Sequence, residues 1–517
     1  MRKLKNFFSN WASYLFLIPI LIGAFYIRVV RIDDLLGFYY DQGRDALVIW
    51  KLWHDAKFFL IGPVTGLSGI FLGPFYYYLI APLYLIGGGN PLYPSVFLAL
   101  LSTFSLIVVY QLGKEIHSRT AGLLGALIGA FSYYIVYNSR WLSNPNPMFL
   151  ISMIFLYSLW KIISGGGKKW WIVSAFMLGI SLQFESASGV FYIPVYIIFL
   201  IWRLFNTVSI RELFTTKWVG VFIKKHARVI IPSFLAFFVT LVPQILFNFR
   251  HDNLLINNFL KLFFHERAFS KPITTFILET RINYFWSAFM GKIFIGQNMY
   301  SSVFASLSLA ALIIGRKRFP KGVLTLFGIF LITPMVGYIL FQGNFGNIYD
   351  YYLIGYFLPF MLLFSLGLTE FSKTLIGKIF LILFLLAFFR INLVPLRGIM
   401  ANPMDGPTDI KFGSQLKAVN WVFENAAGRG VYNVDIYVPP VIPYAYDYLF
   451  LWQGTAHCGE SLCGQVSYTT PVLYTLFEQD PPSPERLEVW LNKQEGIGVV
   501  EEEAKFGGIT VQRRSRI

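Results

Sequence analysis

"GPFYYYLIAPLYLIGGG", residues 73–89, is the stretch on which the topology of the chain turns. It is apolar, yet Pro74 opens it, Pro82 interrupts it and a glycine cluster closes it. Its run of about 14 apolar residues falls short of the ~20 that a bilayer-crossing helix needs. Flanking charge decides the matter. With 73–89 left out of the count, the basic connections "GKEIHSR" (113–119), "GGGKK", the segment 203–228, "GRKRFPKG" and "SKTLIGK" all fall on the side of the N-terminal "MRKLKN", as the positive-inside rule requires. Counted as a span, it would move every one of them outside. Residues 73–89 are therefore read as an interfacial or re-entrant element with "FYYY" at headgroup depth.

The rest of the chain supports a membrane setting. Of 517 residues, 56% are hydrophobic, 19% aromatic and 14% charged, with mean hydropathy +0.58. No water-soluble core hides that much apolar surface. The net charge of +16 sits mostly in the short tracts between apolar runs, so it reads as a topology signal and not as a nucleic-acid surface. The run after "MRKLKNFF" is too long for a signal peptide and lacks a cleavage site, and is read as an uncleaved first span.

Apolar windows near 12–30, 92–112, 121–138, 147–163, 170–184, 188–203, 229–248, 301–315, 321–341, 353–368 and 376–392 predict about eleven transmembrane helices. Residues 1–395 are thus read as a membrane module whose first outer loop is 31–91, with 396–517 a small extracytoplasmic α/β domain. The second part carries Pro-rich joints, a helical pattern in "SQLKAVNWVFENAAG" and strand patterns in "VYNVDIYV" and "GITVQRR". Its Cys458 and Cys463 allow either a disulfide or two thiols.

Chemistry concentrates in the first outer loop, in "GFYYDQGRDALVIWKLWHD" (37–55). Ala46, Ile49, Trp50 and Trp53 share one helical stripe, which predicts an amphipathic helix lying on the outer leaflet. Asp41 then has two readings. It is the N-cap of that helix, or it is a general base beside Arg44 and a phosphate-binding helix start.

The order of a long first helix, an outer loop with "YDQGRD", an amphipathic helix, "FLGPFYYY" and a paired span ending in "NSRWLSNPNPM" resembles the protein mannosyltransferase-like family of C-type (GT-C) glycosyltransferases, which includes the lipid A aminoarabinose transferases. The resemblance implies that Asp41 is the catalytic acidic residue and that Arg44 lies near the donor phosphate. Gln42 stands where many members have a second carboxylate, Gly73 where some have a lysine, and Asn144 where many have aspartate. These departures leave too few carboxylates for a convincing divalent-metal site, and no cofactor is expected.

"KLFFHERAF" (261–269) resembles a His/Glu and Arg-Phe pattern in the aminoarabinose transferases, which makes His265 and Glu266 candidates for substrate binding and Arg267 a second phosphate ligand. Asp45, Arg140, Asn144 and Tyr351 complete the candidates, with Arg140 and Asn144 expected across the cleft from Asp41. Tyr351 and Tyr352 also suit interfacial anchoring, Glu185 a turn between two spans, and His251 with Asp252 the end of a span.

The function implied is an inverting glycosyltransferase of the plasma (inner) membrane. It moves a sugar from a polyprenyl-phosphate donor to a hydroxyl acceptor, protein, lipid or polysaccharide, on the outer face. The alternatives are a lipid-linked oligosaccharide flippase or transporter, or a polysaccharide ligase. The scarcity of ionisable residues within the spans argues against a transporter.

Overall fold

The computed structural model describes residues 2–66, 69–207, 218–266, 268–269, 272–343, 346–401, 410–439 and 442–517. The eleven apolar windows all fall on helices. They are α1 (Arg2–Val29), α5 (Leu92–Ile116), α6 and α7 (Arg119–Phe131, Tyr133–Ser139), α8 (Met148–Ile163), α9 (Lys169–Phe184), α10 and α11 (Ser186–Val190, Tyr192–Phe205), α12 (Trp218–Arg250), α15 (Asn298–Ile314), α16 (Val323–Leu340), α17 (Ile354–Phe371) and α18 (Leu375–Ala401). Among the described residues six helical stretches are long and apolar enough to cross a membrane by length and composition, or up to seven if the bent pair α6 and α7 is one span; Ser13–Val29 of α1, Met148–Ile163 and Asn298–Ile314 are shorter apolar stretches. The short elements of the outer loop are α2 (Ile32–Leu35), α3 (Tyr40–His54) and α4 (Phe75–Ile86), while α13 (Leu254–Phe264) and α14 (Thr275–Gly291) fill the segment between α12 and α15. Residues 73–89 form only the 12-residue α4, with Pro74 at its start and Pro82 inside.

Between α6 and α7 the helix is bent by 64° because Ser132 takes an extended conformation. Carbonyls freed at such a break need donors, and Arg28, buried at the end of α1, supplies them: its Nη1 and Nη2 donate to Ala130 O and Gly129 O at 3.1 and 3.0 Å. Asn392 Oδ1 on α18 accepts from the Tyr133 N–H at 2.9 Å.

Helix α17 runs through the core, buried along almost its whole length. At its C-terminal end Glu370 accepts from His117 Nε2 at 2.9 Å and pairs with Arg318 and Lys373. Three of the basic connections read from the sequence therefore meet at one end of the bundle. The first outer loop lies at the other.

After α18 the chain forms α19 (Phe412–Ala426), β1 (Tyr432–Tyr437), α20 (Tyr444–Cys458), β2 (Val472–Glu478), α21 (Pro484–Glu495), β3 (Gly498–Phe506) and β4 (Ile509–Arg516). The sheet order is β1-β2-β4-β3, with β1 and β2 parallel and the other pairs antiparallel. Helix α18 runs across the boundary read at 395/396, and Cys458 and Cys463 form a disulfide.

This C-terminal unit sits on α3, which corrects the expectation that the apolar stripe of α3 faces lipid. A Cβ on Gly43 would lie 2.3 Å from Ala445 N, so only glycine lets the two helices approach so closely. The Tyr40 and Tyr444 rings meet at 4.9 Å, and Trp50 meets Tyr448 edge-on at 6.1 Å. Trp452 Nε1 donates to Gly88 O at 2.7 Å and Tyr448 OH donates to Gly89 O at 2.5 Å, which fixes α20 to the glycine turn after α4. The face buried on α3 is taken by protein, and Trp53, read from the sequence as part of the lipid-facing stripe, is 42% exposed with its indole N–H on Ala81 O of α4.

Candidate active site

The site is built from the first turn of α3. Tyr39, not Asp41, is the N-cap. The capping work expected of Asp41 is done by Gln42, whose Oε1 accepts from the Tyr39 N–H at 3.1 Å and whose Nε2 donates to Leu142 O at 3.0 Å. A buried Gln42 with both ends engaged is a structural residue.

Asp41 is thereby released from the backbone. Its side chain is 61% exposed, and one oxygen pairs with Arg44 Nη1 at 2.8 Å. Arg44 in turn clamps the buried Asp45 through Nε and Nη2, both on Oδ1, at 3.0 and 2.8 Å, and Tyr77 OH donates to the same oxygen at 2.9 Å. Burial pushes the Asp45 carboxyl up to about 6 against the pull of Arg44 and Tyr77, so it stays ionised at neutral pH. Burial acts to lower the Arg44 value, but Asp45 and Asp41 outweigh it and hold the guanidinium charged. Arg44 is thus anchored from below, and its bond to exposed Asp41 is the one an incoming anion can replace.

Asp41 and Arg44 open onto a cavity of about 240 Å³ whose other walls come from distant parts of the chain. Asn144 lines it and donates to Phe184 O at 2.6 Å; an aspartate there would set a carboxylate against that carbonyl. Tyr351 and Tyr352 line it from the start of α17, and Tyr338 from α16. Tyr338 OH donates to Ala187 O and Tyr352 O at 2.6 and 2.8 Å, which ties these walls to α10. Ile70, Leu72, Phe191, Phe259, Leu262 and Phe341 make an apolar wall. One cavity therefore joins a cation and an exposed carboxylate to a long apolar surface, the two requirements of a lipid phosphate.

Asp45 supports Arg44 from outside the cavity lining. Arg140 departs from its expected place: it is buried, and its Nη1 donates to Ile27 O on α1 at 3.0 Å, while Nη2 has no partner among the described residues. The helix break after Phe131 turns it towards α1 and away from the cleft. His265 and Glu266 are exposed after α13 and do not line the cavity, and Arg267 lies outside the described residues. His251 Nδ1 stands 2.8 Å from Phe247 O at the end of α12. At Gly73 a Cβ would lie 1.5 Å from Gln183 Oε1, so a side chain at this position requires the end of Gln183 to move aside.

Glu185 is the residue that the sequence underrates. It lines the cavity, is 5% exposed and caps α10 through the Ala187 N–H at 3.0 Å. Burial pushes its carboxyl up to about 8, with that N–H pulling the other way. The available signal was a lone carboxylate at a break between apolar helices. Among the described residues, no three His, Cys, Asp or Glu side chains stand together as a metal site.

Comparison with known proteins agrees with this architecture. Residues 72–224 match the sequence model of the dolichyl-phosphate-mannose-protein mannosyltransferase family. ArnT from Cupriavidus metallidurans, solved bound to undecaprenyl phosphate, superposes with a TM-score of 0.56 at 12% identity, covering 98% of each chain. The oligosaccharyltransferase AglB from Archaeoglobus fulgidus, solved with an inhibitory peptide and a dolichol-phosphate, superposes with a TM-score of 0.51 at 12% identity over 95% of this chain and 73% of that one. No curated protein sequence matches. The sequence of residues 72–224 thus resembles that of one mannosyltransferase family, and the chain as a whole shares its fold with ArnT and AglB.

Proposed function

We propose that this protein transfers a sugar from a polyprenyl-phosphate carrier to a hydroxyl acceptor with inversion, on the outer face of the plasma membrane. The observation that carries the reading is the Asp41–Arg44 pair at the mouth of an apolar-walled cavity. An acceptor oxygen attacks the anomeric carbon as Asp41 takes its proton. The bond from that carbon to the phosphate oxygen breaks, and its electron pair leaves with the polyprenyl phosphate, whose charge Arg44 holds. A phosphate leaves without a proton from a general acid, so one exposed carboxylate suffices.

The lipid donor is supported by the polyprenyl phosphates in the ArnT and AglB structures. The outer location is supported by the basic connections gathered at the far end of α17 and by the Cys458–Cys463 disulfide, which suits an oxidising compartment. Asp41→Asn tests the mechanism in purified protein given polyprenyl-phosphate sugars and a panel of hydroxyl acceptors. Transfer is expected to fall about 100- to 10,000-fold, with unfolding temperature unchanged because the side chain is exposed. Wild-type turnover by that variant refutes the assignment.

A further inference from the structure

Glu185 is a buried carboxylate that nothing in the transfer step just described uses. Its one hydrogen bond is the 3.0 Å contact from the Ala187 N–H to Oε1. No cation pairs with it, and Oε2 has no protein partner among the described residues. A carboxylate so placed leaves strong acceptor capacity unfilled, and buried polar groups of that kind find a donor in a ligand or in water.

The surroundings narrow the donor. Glu185 and Ser186 face the same cavity as Arg44 but come from the α9–α10 break, a different wall, with Phe191, Tyr338 and Tyr351 beside them. If the phosphate is held at Arg44, this wall receives the group attached to it. A carboxyl oxygen accepts from hydroxyls, and the flat apolar faces of aromatic rings suit the C–H face of a sugar ring.

We infer that Glu185 is the specificity-determining residue for the donor sugar, its Oε2 accepting a hydrogen bond from a ring hydroxyl of the transferred glycosyl group. The inference rests on the transferase reading above.

The test compares binding of bare undecaprenyl phosphate with its mannosyl, glucosyl and galactosyl phosphodiesters, for wild type and Glu185→Gln, which keeps an acceptor for the Ala187 N–H. Wild type is expected to prefer one sugar-loaded lipid over the bare one. Glu185→Gln is expected to lose about 10- to 100-fold in Kd for that lipid and to bind bare undecaprenyl phosphate unchanged. Equal preference in the two proteins overturns the inference, as does a wild type that prefers no sugar-loaded lipid. A second arm needs no variant: single-deoxy analogues of the preferred donor should show one hydroxyl whose removal costs wild type the same 10- to 100-fold, and the absence of any such position also overturns it. These are binding readouts, so they stand apart from turnover. A failed transferase reading appears as wild type that transfers nothing, whereas a failed Glu185 assignment appears as wild type that transfers while Glu185→Gln discriminates as before.

Discussion

Asp45 and Glu185 are both buried carboxylates, but they are satisfied in opposite ways. Asp45 has Arg44 and Tyr77 on one oxygen, and Asp45→Ala removes the anion beneath a guanidinium whose side chain is only 17% exposed. Breaking such a pair costs about 3 kcal/mol, and thermal unfolding in detergent should register the loss, while transfer falls because Arg44 is no longer aimed. Glu185 has a single N–H partner, and its value rises from 4.5 to about 8. A folded state that holds the proton more tightly than the unfolded one gains full stability below the unfolded value and loses it as pH rises through the folded one. Unfolding temperature should therefore decline between about pH 5 and 8 in wild type, and the part of this decline above about pH 6, beyond the reach of the raised Asp45 carboxyl, should be missing in Glu185→Gln. At this scale the sequence was informative about Asp41 and Arg44, because a charged cluster beside a span is conspicuous. It was poor on Glu185 and Arg140, whose surroundings are set by a helix break and by chain segments far away in sequence.

Helix α3 shows what the element scale adds. Its existence follows from periodicity, but its start does not, since the helix is capped at Tyr39 and not at Asp41, and neither does its partner, since α20 lies some 400 residues downstream in the chain. The two C-terminal strands that the sequence hides have equally physical reasons. Strand β2 is buried along nearly its whole length, so it lacks the alternation that marks a half-exposed strand, and β3 is exposed through "VVEEE", which resembles a solvated loop. Because α20 rests directly on Gly43, Gly43→Val should push the helices apart at a cost of about 1–3 kcal/mol. Limited proteolysis should then cut the C-terminal unit faster, and transfer should fall together with docking. Undisturbed proteolysis with normal transfer in that variant would show that α20 does not hold the catalytic turn.

At the scale of the whole molecule, α17 acts as a strut between two chemically distinct ends. Its 18 residues span about 27 Å at the helical rise, close to the hydrocarbon thickness of a bilayer. Tyr351 and Tyr352 stand at one end by the cavity, and Glu370 gathers His117, Arg318 and Lys373 at the other. The separation makes sidedness testable by membrane-impermeant thiol labelling of intact cells, because Cys458 and Cys463 are already bonded to each other. Cysteine at exposed position 55 should label from outside, and cysteine at exposed position 317 only after permeabilisation. The reverse pattern would invert the topology. The bundle itself was readable because hydropathy over long windows is a strong signal. The seat of the C-terminal unit upon it was not, since surface contact leaves no period in either partner.

The contact at Gly73 constrains how this site can be altered. Gln183 fills the space that a side chain at 73 would need, and its amide Nε2 is committed to Gln244 Oε1 at 2.6 Å. A lysine there displaces the Gln183 amide and breaks that bond: Gly73→Lys alone should lower the unfolding temperature, whereas Gly73→Lys with Gln183→Gly opens the space and should recover part of the loss. Positions 73 and 183 are therefore coupled, and the effects of changing them should not add: the double variant should be more stable than the sum of the two single losses predicts.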